Sequence, residues 1–322
     1  MPKTLTFEAF AYDELSDNAK EKARQWYIEG MDSEQYGTND VLTYTLEEAG
    51  LPGMKLYWSL GNCQGDGVAF EGDVDVDGFF KQQENLQYQI AHNKHRFHNL
   101  IDPEHVDPAV VVGGKATFGV DYVRDAAGAV IRNERGGYAS FVFMRPSEDG
   151  AVVTAIEEVP GHITRPRKIR ITQESDAAPE AIERYRELAL DGATLAFIKM
   201  LLERDVTLAI NIKHHGRYYH WNSMNVSVEA TDYGPVGDID DADERNRKIQ
   251  EIDNTALSIQ EGLAQFVKDI SHYLEKEGYD NIEGATSEEA VADNITANDY
   301  LFTAGGSRRV TLNQDDSVQS AV

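Results

Sequence analysis

Apolar and polar positions alternate with a period of two in two pairs of stretches, 54–60 with 68–76 and 206–212 with 223–228. Leu56, Trp58 and Leu60 alternate before a first polar turn, Gly61-Asn62-Cys63-Gln64-Gly65-Asp66-Gly67, and Val68, Phe70, Val74 and Val76 follow it. Val206, Leu208, Ile210 and Ile212 lead into a second turn, His214-His215-Gly216-Arg217-Tyr218-Tyr219-His220, and Met224, Val226 and Val228 lead out. Each pattern predicts a β-hairpin. A rigid hairpin leaves its turn side chains free to meet a ligand, so the two turns are the candidate site.

Elsewhere the period is helical. Ser16 caps a helix over 17–30 with Ala19, Ala23, Trp26 and Tyr27 on one face, and a second helix runs from about Asp40 to Gly50. A third stripe joins Phe79, Leu86, Ile90, Phe97 and Ile101. One helix is expected from Pro179 to about Glu203. The longest is expected from Ala242 to Glu277, about 50 Å at 1.5 Å per residue, with Gly278 ending it. Thr286 and Glu289 have capping-box spacing for a short helix. Strands are expected over 4–11, at Val110 to Val112, over 116–123, 138–144, 152–157 and 168–172, and as a last hairpin over 300–303 and 309–312. The sum is an α+β fold, antiparallel β-hairpins packed by amphipathic helices. It reads as a single domain over 1–312, with 102–175 a candidate β-rich insertion and 313–322 a disordered tail.

Charge narrows the partners. Fifty-six acidic against thirty basic residues give a net charge of -26, which repels nucleic acid and anionic membranes, so direct binding to either is not expected. No apolar run is long enough to span a bilayer, and the lone Cys63 excludes an internal disulfide framework or a multi-cysteine zinc site. A cytoplasmic protein is the expectation.

Several short patterns follow one another along the chain: Tyr12-Asp13-Glu14-Leu15-Ser16 with Ala19-Lys20 and Ala23-Arg24, Gln64-Gly65-Asp66-Gly67 with Phe70-Glu71-Gly72, His215-Gly216-Arg217-Tyr218 with His220, and Asn298-Asp299-Tyr300-Leu301-Phe302. Together they resemble an uncharacterised family carried by bacteriophages and mobile elements, some of whose members are labelled antitoxin of a toxin-antitoxin stability system. The 102–175 segment contributes nothing to the resemblance. What the resemblance implies is a phage-type accessory protein in a bacterial host cytoplasm. Its expected partner is a toxin or host-defence protein, which it binds and neutralises.

The residues themselves keep a second reading open. Gln64, Gly65, Asp66 and Gly67, with His215, Arg217, Tyr218 and His220, would hold a small anionic or nucleotide-like ligand if the turns converge. Such a protein would sequester the ligand or hydrolyse it, with an imidazole as base. Catalysis is the weaker branch, because no nucleophile elbow, phosphate-binding loop or zinc helix accompanies these residues. The only cofactor suggested is calcium, since Asp73, Asp75, Asp77 and Glu84 around Gly78 match calcium-loop spacing, although a strand pattern precedes them. His92, His95, His98 and His105 recur near one another but read as solvent-facing. A homo-oligomer is compatible with all of this.

Overall fold

The computed structural model describes residues 8–31, 37–61, 64–107, 109–132, 137–160, 167–306, 309–312 and 318–321. Among them the fold is α+β, with seven α-helices and three antiparallel sheets. The helices are α1 (Asp17–Gly30), α2 (Thr38–Glu48), α3 (Val76–His92), α4 (Pro179–Leu188), α5 (Gly192–Leu202), α6 (Ala242–Ala285) and α7 (Glu288–Ala297). The strands are β1 (Phe10–Ala11), β2 (Lys55–Ser59), β3 (Gly67–Asp73), β4 (Lys94–Ile101), β5 (Lys115–Tyr122), β6 (Ser140–Pro146), β7 (Ala151–Val159), β8 (Lys168–Asp176), β9 (Thr207–His214), β10 (Met224–Asp232), β11 (Leu301–Phe302), β12 (Arg309–Leu312) and β13 (Val318–Ala321). The chain divides into two units, one formed by 1–80 with 190–322 and the other by Lys81–Ala189, which contains all of the 102–175 segment.

In the first unit the two predicted hairpins lie in one sheet, in the order β10-β9-β3-β2. Val68, Ala69 and Phe70 of β3 are all fully buried, as befits a central strand covered on both faces. Helix α6 lies on this sheet through Ile252, Ala256, Ile259, Leu263, Phe266, Ile270 and Leu274, whose three- and four-residue steps make one apolar stripe. Phe266 meets Phe79 edge-on at 5.7 Å. Ser271, buried within the same stripe, donates to the Val68 carbonyl at 2.5 Å and ties helix to strand.

A smaller sheet, β1-β11-β12-β13, joins the two ends of the sequence. Its core gathers Tyr12, Leu15, Ala19 and Ala23 with Val291, Ile295 and Phe302, and Trp26 packs edge-on against Phe302 and Tyr300. The expected tail, 313–322, includes β13; its other residues lie outside the described residues, as do 4–7 of the expected first strand.

The second unit contains a five-stranded sheet, β4-β8-β7-β5-β6, with a core of Ile101, Ala116, Met144, Val153 and Ile171, together with α4 and most of α3. Gln173 is buried, and its side-chain amide donates to the Ala116 carbonyl at 2.7 Å.

Five expectations need correction. The 79–101 stripe is not one helix: Asn93 takes a left-handed backbone at φ 52°, α3 ends at His92, and Phe97 and Ile101 belong to β4. Cross-strand charges hold that strand, Lys94 facing Asp176 and Arg96 facing Glu174. The 179–203 helix is two, because Asp191 accepts from the amides of Ala193 and Thr194 and so starts α5 afresh. Val110 to Val112 form no strand; they belong to a turn whose Val110 is buried. Gly278 does not end the long helix, which continues to Ala285; a Cβ there would stand 2.4 Å from Leu60 Cδ1, so the glycine serves close packing. The short helix that follows is capped by Ser287, which accepts from the Ala290 amide, and not by Thr286.

Candidate functional site

The register brings the two turns together. Strand β3 pairs antiparallel with β9, Gly72 facing Ile212 and Asp73 facing Asn211. Carried along both strands, that register takes the start of β3 and the end of β9 to the same end of the sheet, where one turn enters and the other leaves. The contact is direct. Tyr219 donates its backbone N–H to the Gly65 carbonyl at 3.2 Å. Gly65 has φ 99°, and a side chain on it would sit 2.2 Å from Cδ1 of Tyr218. Gly67 faces the Tyr219 carbonyl, 2.5 Å from where its own Cβ would be. These glycines therefore admit the second turn, and the space beside them is filled by tyrosine.

Around this junction several polar side chains have partners. Ser59 donates to Asp66 Oδ1 at 2.7 Å. Arg217 lies over the Tyr218 ring, 4.8 Å from its centre, and donates to the Tyr218 hydroxyl at 2.7 Å. His214 donates from Nε2 to the Tyr218 carbonyl at 2.9 Å, which fixes its tautomer. Ser223 donates to the His220 carbonyl at 2.6 Å. Neither serine is thus engaged with an imidazole as an activated nucleophile would be. His220 stacks on Tyr218 at 5.8 Å, and its buried Nδ1 finds no hydrogen-bond partner among the described residues. Gln64, His215 and Gly216 are exposed. Asn62 and Cys63 lie outside the described residues.

Aromatic rings from both hairpins line up beside the turns. Tyr57 stands 4.6 Å from the His214 ring and stacks on Tyr219 at 6.0 Å. The Tyr57 hydroxyl donates to Glu71, and Lys55 reaches the same carboxylate at 3.4 Å while lying over the Tyr57 ring. That hydroxyl, and Lys55 after it, hold the Glu71 pKa below the ordinary carboxylate value. Along β2 runs an open cleft of about 1010 Å³, bounded by β2 and its continuation from Leu56 to Gly61, by Tyr219, by Gly37, Asn39 and Asp40 at the start of α2, and by Ile282 of α6.

Tyr57 and the α2 residues were not among the sequence candidates, and Tyr219 entered only as a member of the second turn. Tyr57 had a signal: Leu56 and Trp58 alternate into one face, so Tyr57 must project from the other. Asn39, Asp40 and Ile282 had none, because only the tertiary fold brings them to the cleft.

The metal candidates are dispersed in role. Asp73 accepts from Asn211 Nδ2 at 2.5 Å, and Asp75 offers its backbone carbonyl to the Phe79 amide as α3 begins. Glu84 lies within α3. His95 meets the Tyr185 hydroxyl at 2.6 Å and His98 meets Thr172 Oγ1 at 3.0 Å, both from β4, while His92 bonds the Tyr88 carbonyl and His105 stacks on Phe141. Among the described residues no group of three or more His, Cys, Asp or Glu is placed to hold a metal ion, and no helix is long and apolar enough to cross a membrane. Comparison with family models, curated proteins and solved structures finds no match to this chain.

Proposed function

We propose that this protein acts by binding another protein, with the joined turns and the β2 cleft as its recognition face. The observation that carries the reading is the tyrosine-rich wall made by two interlocked turns beside an open cleft of about 1010 Å³. Tyrosine and tryptophan are enriched where proteins meet, since each buries a large rigid surface and keeps a polar handle. Two of the polar groups that catalysis would use are bonded within the hairpins: Asp66 to Ser59 and Arg217 to Tyr218. The resemblance adds the kind of partner, a toxin or host-defence protein neutralised by a phage-type accessory protein. An acidic chain of net charge -26 suits a basic target surface.

A second reading rests on His220. Its buried, unpartnered Nδ1 and the exposed Arg217 nearby in sequence are groups that a small anionic, nucleotide-like ligand would engage. Native mass spectrometry of the full chain recovered from a bacterial cytoplasm separates the two. Retention of a protein partner, lost on Tyr219→Ala and kept on Arg217→Ala, supports protein binding. A nucleotide-sized adduct lost on Arg217→Ala supports the ligand reading, and a chain recovered empty counts against both.

A further inference from the structure

We infer that the open edge of β2 receives an extended, lysine- or arginine-bearing segment of a partner protein, which pairs as a fifth strand on the four-stranded sheet. The inference rests on the protein-binding reading above and names its mode. Strand β2 ends the order β10-β9-β3-β2, and among the described residues its only strand partner is β3. In an antiparallel ladder every second residue of an edge strand points its N–H and C=O away from the sheet, so β2 offers a row of unmatched main-chain groups.

Proteins commonly blunt such an edge with proline, a bulge or a covering element. Residues 55–59 are Lys-Leu-Tyr-Trp-Ser, without proline, and pair with β3 without a register shift. The opposite edge differs: β10 carries a register shift between Ala230 and Asp232. Among the described residues the only edge-blunting device on β2 is the charged Lys55 at its first position, which leaves Leu56 to Ser59 beside the cleft without one.

The lining of the cleft shows that it follows the edge. A pocket on one face of a sheet touches alternate residues of a strand, because successive side chains point to opposite faces. This cleft is bounded by consecutive residues from Leu56 through Gly61, so it runs beside the backbone. Five residues of strand measure about 17 Å. At about 1010 Å³ the space stands at the upper end of the roughly 300–1,000 Å³ usual for drug-sized ligands, as suits a length of chain.

Charge selects the occupant. Asp40 is the only ionisable acid or base among the described residues bounding the cleft, apart from tyrosine, and it is exposed. Its position in the first turn of α2 offsets the positive end of that helix, which would otherwise favour an anion. Tyr57, Trp58 and Tyr219 present rings to which a cationic side chain is drawn, as Lys55 already is to Tyr57 at 4.6 Å. An incoming strand with alternating apolar and basic residues meets both requirements.

The probe is a fluorescein-labelled heptapeptide of alternating valine and lysine, titrated into the full chain and followed by anisotropy and by amide shifts of the ¹⁵N-labelled protein. The expected result is saturable binding that shifts the amides of Leu56, Tyr57, Trp58 and Ser59. N-methylation of alternate peptide nitrogens should weaken it about tenfold or more, because the main-chain bonds can no longer form. Glutamate in place of lysine should abolish binding, and Asp40→Lys should weaken the lysine peptide several-fold. Absence of binding, equal binding of the N-methylated peptide, or shifts that spare β2 would overturn strand addition. If the peptide fails while a protein partner sensitive to Tyr219→Ala is still retained, the edge inference alone falls. If no protein partner is retained either, the protein-binding reading falls with it.

Discussion

Tyr219 donates its backbone N–H to the carbonyl of Gly65 at 3.2 Å, and this one bond turns two separate hairpin turns into a single surface. The pairing of β3 with β9 has already brought the hairpins side by side, so closing the bond orders only a short remaining length of chain. The tyrosines of the second turn then fill the space that the glycines of the first leave open.

That relationship is tested by two glycines of similar backbone and different surroundings. Gly65 has φ 99° with the Tyr218 ring where its side chain would be; Gly216 has φ 87° with nothing within 4 Å. Gly216→Ala should cost about 1–2 kcal/mol, the strain of a left-handed alanine alone. Gly65→Ala should cost roughly 2–5 kcal/mol, since overpacking adds to the strain. Urea unfolding monitored by circular dichroism gives both values, and equal losses would mean that the turns are not held against each other.

Helix α6 offers a second contrast. Gly284 has open space around it, so Gly284→Ala should stabilise the protein by up to about 1 kcal/mol through helix propensity. Gly278→Ala should gain less or become destabilising, because its Cβ would displace Leu60, which borders the cleft. Thermal unfolding ranks the variants, and the Leu60 methyl resonances should move only in Gly278→Ala.

The hairpins were legible in the sequence because each buries one face, and Leu56, Trp58, Ile210 and Ile212 record that in their alternation. The helix boundaries were less so. Phe97 and Ile101 fall by coincidence in helical phase with Phe79, Leu86 and Ile90, and the break at Asn93 depends on a backbone angle that composition does not reveal. Gly278 reads as a helix stop by residue type, yet it is a contact with Leu60, a residue far away in sequence. The two turns could be named from local pattern, but their meeting is set by the long-range pairing of Gly72 with Ile212. For the same reason the wall of the cleft built by Asn39, Asp40 and Ile282 left no mark on the sequence.

Glu71 reports on the aromatic wall. Its carboxylate accepts from the Tyr57 hydroxyl and faces Lys55, which lowers its pKa; the stability this carries is present above the ordinary carboxylate value and is lost as pH falls through the lowered one. Tyr57→Phe removes the leading cause, so Glu71 should titrate closer to the ordinary value of 4.5. Carboxyl NMR titration of both proteins measures the change. An unchanged Glu71 would show that Lys55 alone holds it.

Asp191 separates capping from charge at the start of α5. Its Oδ1 accepts from the amides of Ala193 and Thr194, each at 3.0 Å. Partial burial raises its pKa, but the bonds from Thr194 and Ala193 outweigh that and leave it lowered. Asp191→Ala loses the cap and should cost about 0.5–2 kcal/mol. Asp191→Asn keeps an oxygen acceptor for the same amides and should cost less near neutral pH. The folded pKa of Asp191 lies below its ordinary 3.8, so the protein gains from its ionised form above that value and loses the gain as pH falls through the lowered pKa. In Asp191→Asn that loss is absent, and its deficit relative to wild type should shrink on acidification through this range. Urea midpoints of the three proteins across the acid range read the difference, and a pH-independent gap between aspartate and asparagine would assign the cap to geometry alone.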